Sequence, residues 1–375
     1  MRDSTQEQLH RLRSLRTAAG LTIEELAARS GVSARTIGGI ERHTIRRPHP
    51  GTLRALGTAL GLDGPDAGRL RTADEQVGGV TGLPGVTPHF TGRHADLAWL
   101  TTRLAHRRAV QLIGLPGVGT TALAVRAATR LADRFPDGVR FLGPVGDASA
   151  ATIARRLLPA AATASTGSDP VAVRAYRDLA RARRMLVVLD GVRDTHQVGP
   201  LLPPDAAAVT LVTGGPPLAD LPDTDRRLVA PLPPADARAA LTAMVGGSTP
   251  APAVAELAAC CAGLPLALRV TANRLLTRPQ WSAQWLIDRL TRPDRVLGAL
   301  VAGDLSVRDA FERAYAGLPA GARRALRRLP RLTGPAPAEA GFLELAERGW
   351  LTAGRDHRYL PHPLVHAFAR VVPGT

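Results

Sequence analysis

The sequence predicts a multidomain protein. An all-α domain comes first, an α/β domain with a parallel sheet follows, and the carboxyl-terminal part is mainly helical. Three observations predict this order. Short amphipathic helices fill residues 9–62, each with its own start or stop residue. From residue 109 onward, apolar strand-like runs such as VQLIGL and MLVVLD alternate with Ala-rich and Leu-rich helices, which is typical of a parallel sheet. A glycine-rich loop, GLPGVG at 114–119, stands between the first of these strands and a helix.

Length and composition narrow the class of protein. The chain of 375 residues is 45% hydrophobic, so it can bury a sizeable core. Its apolar runs are far shorter than the roughly 20 residues that cross a bilayer, and its start lacks the apolar segment of a signal peptide. We therefore expect a cytoplasmic protein without a membrane partner. The net charge of +16 is carried by arginine alone, which indicates a composition bias, so the charge by itself does not identify a nucleic-acid-binding protein.

The amino-terminal helices carry clear boundary signals. Thr22 followed by Glu25 predicts a capping box at the start of one helix, and Gly31 predicts its end. Ser33 then predicts the cap of the next helix, over about Ala34 to Arg42. These signals together predict one helix, a tight turn and a second helix in this segment.

The segment LTIEELAARSGVSARTIGGIE at 21–41 resembles the helix-turn-helix of phage repressors and the Xre family. The resemblance implies a five-helix domain over residues 1–63 whose third helix enters the major groove of double-stranded DNA. By position it implies two sets of contacts. The base-facing set is Ser33, Ala34, Arg35, Thr36 and Gly39, and the phosphate-facing pair is Arg46 and Arg47.

Arg35 is the one long side chain in the base-facing set, and it suits a bidentate contact with guanine. Ala34 and Gly39 have no side chain that reaches a base, and the pair Gly38 and Gly39 weakens the helix by about 1 kcal/mol per glycine relative to alanine. A helix-turn-helix that serves as a protein-interaction module therefore remains an alternative.

After a Gly- and Pro-rich linker at 64–89, a series of motifs follows in fixed order: FTGRHADL at 90–97, GLPGVGTTALA at 114–124, LVVLDGVRD at 186–194, VTLVTGG at 209–215, GLPLAL at 263–268 and YLPHPLVHAFAR at 359–370. They resemble, one after another, the motifs of the NB-ARC subclass of STAND nucleotide switches. The resemblance implies a P-loop NTPase-like α/β domain at 90–230, a helical bundle at 231–303 and a winged-helix domain at 304–375.

The resemblance also implies roles by position. Arg93 would lie near the adenine, Pro265 would pack on the base, and His362 would sense the β-phosphate. The nucleotide-binding set is Arg93, Gly114, Gly117, Val118, Gly119, Thr120, Thr121, Ala122, Pro265 and His362, and the magnesium ligands are Thr121 and Asp190. The glycines alone could also merely shape a tight turn between strand and helix.

Four departures from that pattern coincide. Thr120 stands in place of the P-loop lysine, and Gly191 in place of the second acidic or polar residue after Asp190. Gly214 and Gly215 occupy the stretch of the sensor arginine, and Pro363 replaces the aspartate that follows the sensor histidine. Because phosphoryl transfer depends on positioned charge, we expect a pseudo-ATPase without catalytic residues that binds ADP or ATP with magnesium weakly, if at all.

In the carboxyl-terminal half, we expect Trp281 and Trp285 to anchor the core of the helical bundle. The sequence as a whole indicates a DNA-binding transcriptional regulator that assembles as a homo-oligomer or with a related regulator, since paired operator half-sites require a dimer. Its degenerate module would serve as a scaffold or oligomerisation switch. Two alternatives remain: an active ADP- or ATP-dependent switch that tolerates Thr120, and an interaction scaffold that pairs with a full-length relative.

Overall fold

The computed structural model describes residues 12–13, 15–17, 19–42, 50–60, 82–163, 166–218, 221, 223–247, 249–278, 280–354 and 357–372. These residues fall into two compact units. Unit 1 draws on Met1–Pro88, Ala95–Leu112 and Thr121–Arg227, and unit 2 on His89–His94, Ile113–Thr120 and Leu228–Thr375. The predicted division into five segments is a finer one and stays a prediction.

Unit 1 begins with a helical segment that has its own core. Its complete helices are α1 (Ile23–Ser30), α2 (Ala34–Glu41) and α3 (Pro50–Ala59). The predicted capping box is confirmed. The Thr22 side chain accepts a hydrogen bond from the Glu25 amide, and the Glu25 side chain accepts one from the Thr22 amide. The buried side chains that form the core are Leu12, Leu15, Ala19, Leu21, Leu26, Ile37, Ile40, Leu56 and Leu60.

A five-stranded sheet follows, in the order β2-β3-β4-β1-β5. Its strands are β1 (Ala109–Gly114), β2 (Val139–Leu142), β3 (Leu186–Leu189), β4 (Val209–Thr213) and β5 (Thr224–Val229). The pairs β1–β4, β3–β4 and β2–β3 are parallel, which confirms the predicted parallel sheet. The accompanying helices are α4 (His94–His106), α5 (Thr120–Leu131), α6 (Ala150–Leu157), α7 (Ala160–Thr163), α8 (Asp169–Ala182) and α9 (Thr195–Val198).

The strand order decides which side chains meet at the edge of the sheet. Strand β4 lies between β1 and β3, and the three run parallel. Their carboxyl ends therefore meet at one edge, where ligands of open α/β sheets bind. Every residue of β3 is buried, so Asp190, which directly follows it, is held close to the core.

Unit 2 contains a helical bundle of α10 (Pro234–Val245), α11 (Ala251–Cys260), α12 (Pro265–Thr277), α13 (Ala283–Leu290) and α14 (Val296–Ala299). Leucines and aliphatic side chains such as Leu241, Leu257, Leu268 and Leu286 form its core. The prediction that Trp281 and Trp285 anchor this core was wrong. Both indoles are only half-buried, because Leu286, Ile287 and Leu290 of α13 take the inward positions.

The last part of unit 2 combines helices with two short antiparallel strand pairs, and its assignment as a winged-helix domain stays a prediction. It contains a short antiparallel pair, β6 (Val301–Ala302) and β7 (Leu305–Ser306), then α15 (Val307–Ala316), α16 (Ala320–Arg328) and α17 (Ala340–Glu347), the hairpin β8 (Leu351–Ala353) and β9 (Tyr359–Pro361), and α18 (Pro363–Ala369). The Phe311 ring lies 5.5 Å from the rings of both Trp350 and Phe368, which joins α15, the residue directly before β8 and α18 in one aromatic core.

Candidate functional site

The predicted DNA-reading helix is α2, and its start is fixed by a side-chain cap. Ser33 accepts the Thr36 amide at 3.1 Å, and its hydroxyl lies 2.8 Å from that of Thr36. Gly31 adopts a left-handed φ of 67° between α1 and α2, where a Cβ would be strained. The turn therefore holds the first residues of α2 in a defined orientation.

Most of the predicted base-facing residues are accessible to solvent on α2, and their contact with bases stays a prediction. Ser33 and Arg35 are exposed, Ala34 and Thr36 are half-buried, and Arg35 has no ion-pair partner among the described residues. The structure corrects Gly39, which is buried and therefore does not face a base. The predicted phosphate contacts Arg46 and Arg47 lie outside the described residues.

A buried ion pair beneath α2 was not predicted. Arg16 is fully buried, and its Nε and Nη2 donate to the carboxylate of Glu41 at 2.7 and 2.8 Å, while Nη1 donates to the Leu21 carbonyl at 2.8 Å. Glu41 is the last residue of α2, so the pair fixes the end of this helix. The signal in the sequence was that Arg16 follows Leu12 by four residues, which places it on the apolar face of a helix.

The glycine-rich loop lies in unit 2 and is braced by its neighbours there. Gly117 and Gly119 have φ values of 85° and 93°, as a loop that turns its amides inward requires. Gly117 accepts the Leu266 amide at 3.1 Å, and a Cβ on Gly117 would approach Leu266 to 2.8 Å. A Cβ on Gly119 would meet only Pro265, at 3.9 Å. The loop thus keeps a phosphate-binding shape with space at Gly119.

Arg93 holds this loop. Its guanidinium donates to the Val118 carbonyl at 2.9 Å and to the Ala230 carbonyl at 2.5 Å. Arg93 itself adopts a left-handed φ of 65°, which is uncommon for a residue with a Cβ. Its predicted place beside an adenine stays a prediction, and the structure adds a role in bracing the backbone of the loop.

The predicted magnesium ligands meet in unit 1. Thr121 donates to Oδ1 of Asp190 at 2.6 Å, and Thr213, at the end of β4, donates to the same oxygen at 2.5 Å. Burial raises the pKa of Asp190, and the two hydroxyl donors lower it in part. A hydroxyl and a buried carboxylate in contact fit the coordination that magnesium takes beside a bound nucleotide. In the described part of the chain, no three His, Cys, Asp or Glu side chains are grouped so that they could hold a metal ion by themselves.

Two of the predicted departures, Gly191 and Gly215, have left-handed backbone and pack closely against neighbouring backbone. Gly191 has a φ of 75°, and its amide donates to the Thr213 carbonyl at 3.1 Å. Gly215 has a φ of 72°, and a Cβ there would lie 2.7 Å from the Val192 carbonyl oxygen. Thr120 begins α5 without a charge. Thr121 and Asp190 therefore fit a magnesium ion, while Thr120, Gly191 and Gly215 carry no charged side chain.

His362 caps α18 from within unit 2. Its Nδ1 accepts the Leu364 amide at 3.2 Å, and its Nε2 lies 2.9 Å from the Ala262 carbonyl, directly before the GLPLAL segment. This pairing requires the neutral tautomer with the proton on Nε2. Burial lowers the pKa of His362, and the Ala262 carbonyl raises it in part. A sensor role, which stays a prediction, would replace the contact with Ala262.

Relatives and a domain family are found by sequence. The family of helix-turn-helix domains matches residues 9–70. Regulatory protein AfsR of Streptomyces griseus is 32% identical over 318 residues, which cover 77% of this chain and 33% of that protein. Regulatory protein AfsR of Streptomyces coelicolor is 32% identical over 362 residues, which cover 86% and 36%. The chain thus spans about a third of the length of these relatives.

A solved structure supports the fold. The Walker-type ATPase of Pyrococcus abyssi matches with a TM-score of 0.54 at 13% identity, and the match covers 75% of this chain and 96% of that one. No helix within the described ranges combines the length and apolar character needed to span a bilayer. The chain therefore carries an amino-terminal helix-turn-helix domain and a P-loop ATPase-like fold, and over most of its length it is similar to a part of regulatory protein AfsR.

Proposed function

We propose that this protein is a DNA-binding transcriptional regulator whose P-loop module does not hydrolyse nucleotide. The observation that carries the proposal is the capped helix α2 with Arg35 exposed near its start and free of ion pairs among the described residues. An arginine at the amino-terminal end of a recognition helix can reach the O6 and N7 atoms of guanine. The relation to the AfsR regulatory proteins supports the same function.

The P-loop module is proposed to act as a scaffold or oligomerisation switch. Thr120 offers no positive charge to a phosphate, Gly191 offers no side chain to orient a water, and the backbone around Gly215 leaves no room for an arginine. Each lost charge-assisted contact weakens nucleotide binding by about 1.5 to 3 kcal/mol. Binding of ADP or ATP with magnesium is therefore expected to be weak, with turnover absent.

Residues remain that would hold a nucleotide. The amides of the loop at Gly117 and Gly119 would face the phosphates, and Thr121 with Asp190 would hold the magnesium ion. The ion would neutralise phosphate charge. This retained pair favours a second candidate, an active ADP- or ATP-dependent switch, over a protein that has lost the site entirely.

The proposed assembly is a dimer or larger oligomer of this chain, or a complex with a related regulator. One reading helix covers about half of an operator, and half-sites of such proteins lie one helical turn apart. A regulator that binds chromosomal DNA in this way would act in the cytoplasm.

The proposal is tested by selecting preferred duplexes from a random pool with the full chain and measuring binding of variants. Arg35→Ala should lower affinity for the selected duplex by about 1 to 3 kcal/mol and flatten sequence preference. Arg46→Ala should weaken all sequences alike and lower the salt slope by about one. Arg29→Ala, which removes an exposed arginine at the end of α1, is the matched control. Equal binding by wild type and Arg35→Ala across salt would exclude α2 as the reader.

A further inference from the structure

A tryptophan–arginine cluster lies on the surface of the helical bundle in unit 2. It consists of Arg274, Arg278, Trp281, Trp285 and Arg289, which come from the end of α12, the following turn and α13. The two indole rings stack with centroids 4.1 Å apart. Two guanidinium groups lie over the Trp281 ring at 5.0 and 4.7 Å, and the third lies over the Trp285 ring at 4.1 Å.

The cluster holds three positive charges, and no carboxylate of the described residues pairs with them. None of its arginines has an ion-pair partner among the described residues. Asp288, next to Arg289 in the chain, accepts a hydrogen bond from Gln284 instead, at 3.1 Å. Burial lowers the pKa of Arg274, and the charges of Arg278 and Arg289 lower it further. The three guanidinium groups therefore repel one another, and a bound anion would relieve that repulsion.

Arg274 also has a donor without an acceptor. Its Nε is buried and has no hydrogen-bond partner among the described residues, and its Nη2 lies 3.5 Å from the Gly298 carbonyl. A buried donor without an acceptor destabilises the protein, so Arg274 is not fully satisfied by its neighbours in the described structure.

Stacking prepares these side chains for an oxyanion. A guanidinium held over an indole keeps fewer rotamers, so it loses less entropy when it binds. Arg278 and Arg289 are exposed, and their N–H groups can donate in pairs to phosphate oxygens. The guanidinium groups also lie over the indole rings, so an apolar side chain of a protein partner would have to compete with them for this surface.

We propose that the tryptophan–arginine cluster binds the phosphodiester backbone of double-stranded DNA as a contact separate from the reading helix. The inference rests on the proposed DNA-binding function and adds a second, sequence-independent contact to it. Phosphate contacts of this kind fix position and add affinity without reading bases. The cluster would therefore raise the affinity for every duplex and steepen its dependence on salt.

The test compares two double variants of the full chain. Arg278→Gln with Arg289→Gln removes two charges from the cluster and leaves the tryptophans in place. Arg238→Gln with Arg313→Gln removes two charges from exposed arginines elsewhere in unit 2. Fluorescence anisotropy with a selected and a random duplex, over a series of salt concentrations, gives affinity and salt slope. Circular dichroism and thermal unfolding verify that both variants fold.

The cluster variant should lower the salt slope by about two, since each phosphate contact contributes about 0.9, and should weaken both duplexes by roughly tenfold at low salt. The control pair should change the slope much less. Equal slopes in the two variants would overturn the cluster proposal while leaving the reading helix standing. A lower slope in the cluster variant together with no effect of Arg35→Ala would overturn the reader and keep the cluster.

A second readout separates DNA from an acidic protein partner. Trp281 and Trp285 should report duplex binding as a change in intrinsic fluorescence, and this change should be lost in Trp281→Phe with Trp285→Phe. Polyglutamate is the competing probe. A fluorescence response of these tryptophans to polyglutamate that duplex DNA does not produce would overturn the phosphate proposal in favour of an acidic protein segment.

Discussion

The helix-turn-helix segment and the P-loop module differ in what their ligand-facing side chains do in the free protein. In the first, Arg35 is exposed and has no ion-pair partner among the described residues, while Arg16 and Glu41 satisfy each other beneath it. In the second, Arg93, Thr121 and His362 are all hydrogen-bonded to other parts of the protein.

The difference has a thermodynamic consequence. DNA that binds at Arg35 adds contacts without breaking any within the described segment. A magnesium-bound nucleotide that recruits Thr121 must replace a hydrogen bond that already exists, and only the difference contributes to affinity. The Arg35 side chain on the reading helix is thus available to DNA, whereas the ligand-facing side chains of the P-loop module already form hydrogen bonds within the protein. Perturbing each region in turn tests this contrast.

The largest effect is expected from the ion pair below the reading helix. Glu41→Ala leaves the buried guanidinium of Arg16 without its carboxylate, which should destabilise the helix-turn-helix segment by about 3 to 5 kcal/mol. Hydrogen exchange measured by mass spectrometry on peptides from 12–60 should show lost protection there, and specific DNA binding should fall.

A double replacement separates the charge from the packing. Arg16→Met with Glu41→Leu removes both charges and fills the space with apolar atoms, so it should recover most of the protection. Protection in Glu41→Ala equal to that of the wild type would show that the pair does not hold α2.

This pair also shows what sequence can and cannot predict. The capping box at Thr22 and the parallel sheet depend on neighbouring residues and on periodicity, and both were predicted. The contact between Arg16 and Glu41 spans 25 residues and depends on tertiary packing, so it was missed. The inward position of Gly39 and the outward position of the two bundle tryptophans likewise depend on which face of a helix meets its neighbours.

The site in the P-loop module was predictable in its parts and less so in its contacts. Motif order gave Thr121 and Asp190 as a pair, and they are 2.6 Å apart. Thr213 was not predicted as the second donor to Asp190, because its place depends on β4 lying beside β3. The close approach of Gly215 to the Val192 carbonyl depends on tertiary packing, so the Gly214–Gly215 sequence alone does not predict it.

The second prediction tests whether charge alone limits nucleotide binding. Thr120→Lys adds one charge-assisted contact to a phosphate, so it should tighten ADP or ATP binding by roughly ten- to a hundredfold in calorimetry. Thr120→Gln, which adds length without charge, is the matched control. Equal affinity in the two variants would show that the loop does not receive phosphate.

The same variant should still not hydrolyse ATP. Gly191 cannot orient a water, and Gly215→Arg would force a Cβ to within 2.7 Å of the Val192 carbonyl at a left-handed φ, so the arginine cannot be restored there without moving backbone. A phosphate-release assay should show no turnover in wild type or Thr120→Lys. Magnesium-dependent turnover by the wild type that Asp190→Ala abolishes would establish the active switch instead.

The third prediction separates ligand binding from stability at Asp190. Burial raises the pKa of this carboxyl, so the protein interior disfavours its charged form. Asp190→Asn keeps an oxygen for the Thr121 and Thr213 hydroxyls and removes the charge. The thermal midpoint of the free variant should rise slightly, and magnesium-dependent nucleotide binding should be lost. A lower midpoint would show that the carboxylate stabilises the free protein.

The smallest effect is expected from the pH dependence of His362. Because burial lowers the pKa of its imidazole below the ordinary 6.5, the folded protein holds it neutral while the unfolded chain takes up a proton. Its contribution to stability is therefore complete above about pH 6.5 and is lost as the pH falls. Thermal unfolding between about pH 7.5 and about pH 5.5 should show this decline, and His362→Asn, which can still cap α18, should reduce it.

The decline should not vanish, since burial also lowers the pKa of His366. His357→Asn, at an exposed position, is the control. If stability fell with pH as steeply in His362→Asn as in that control, the contact with Ala262 would not depend on a neutral imidazole.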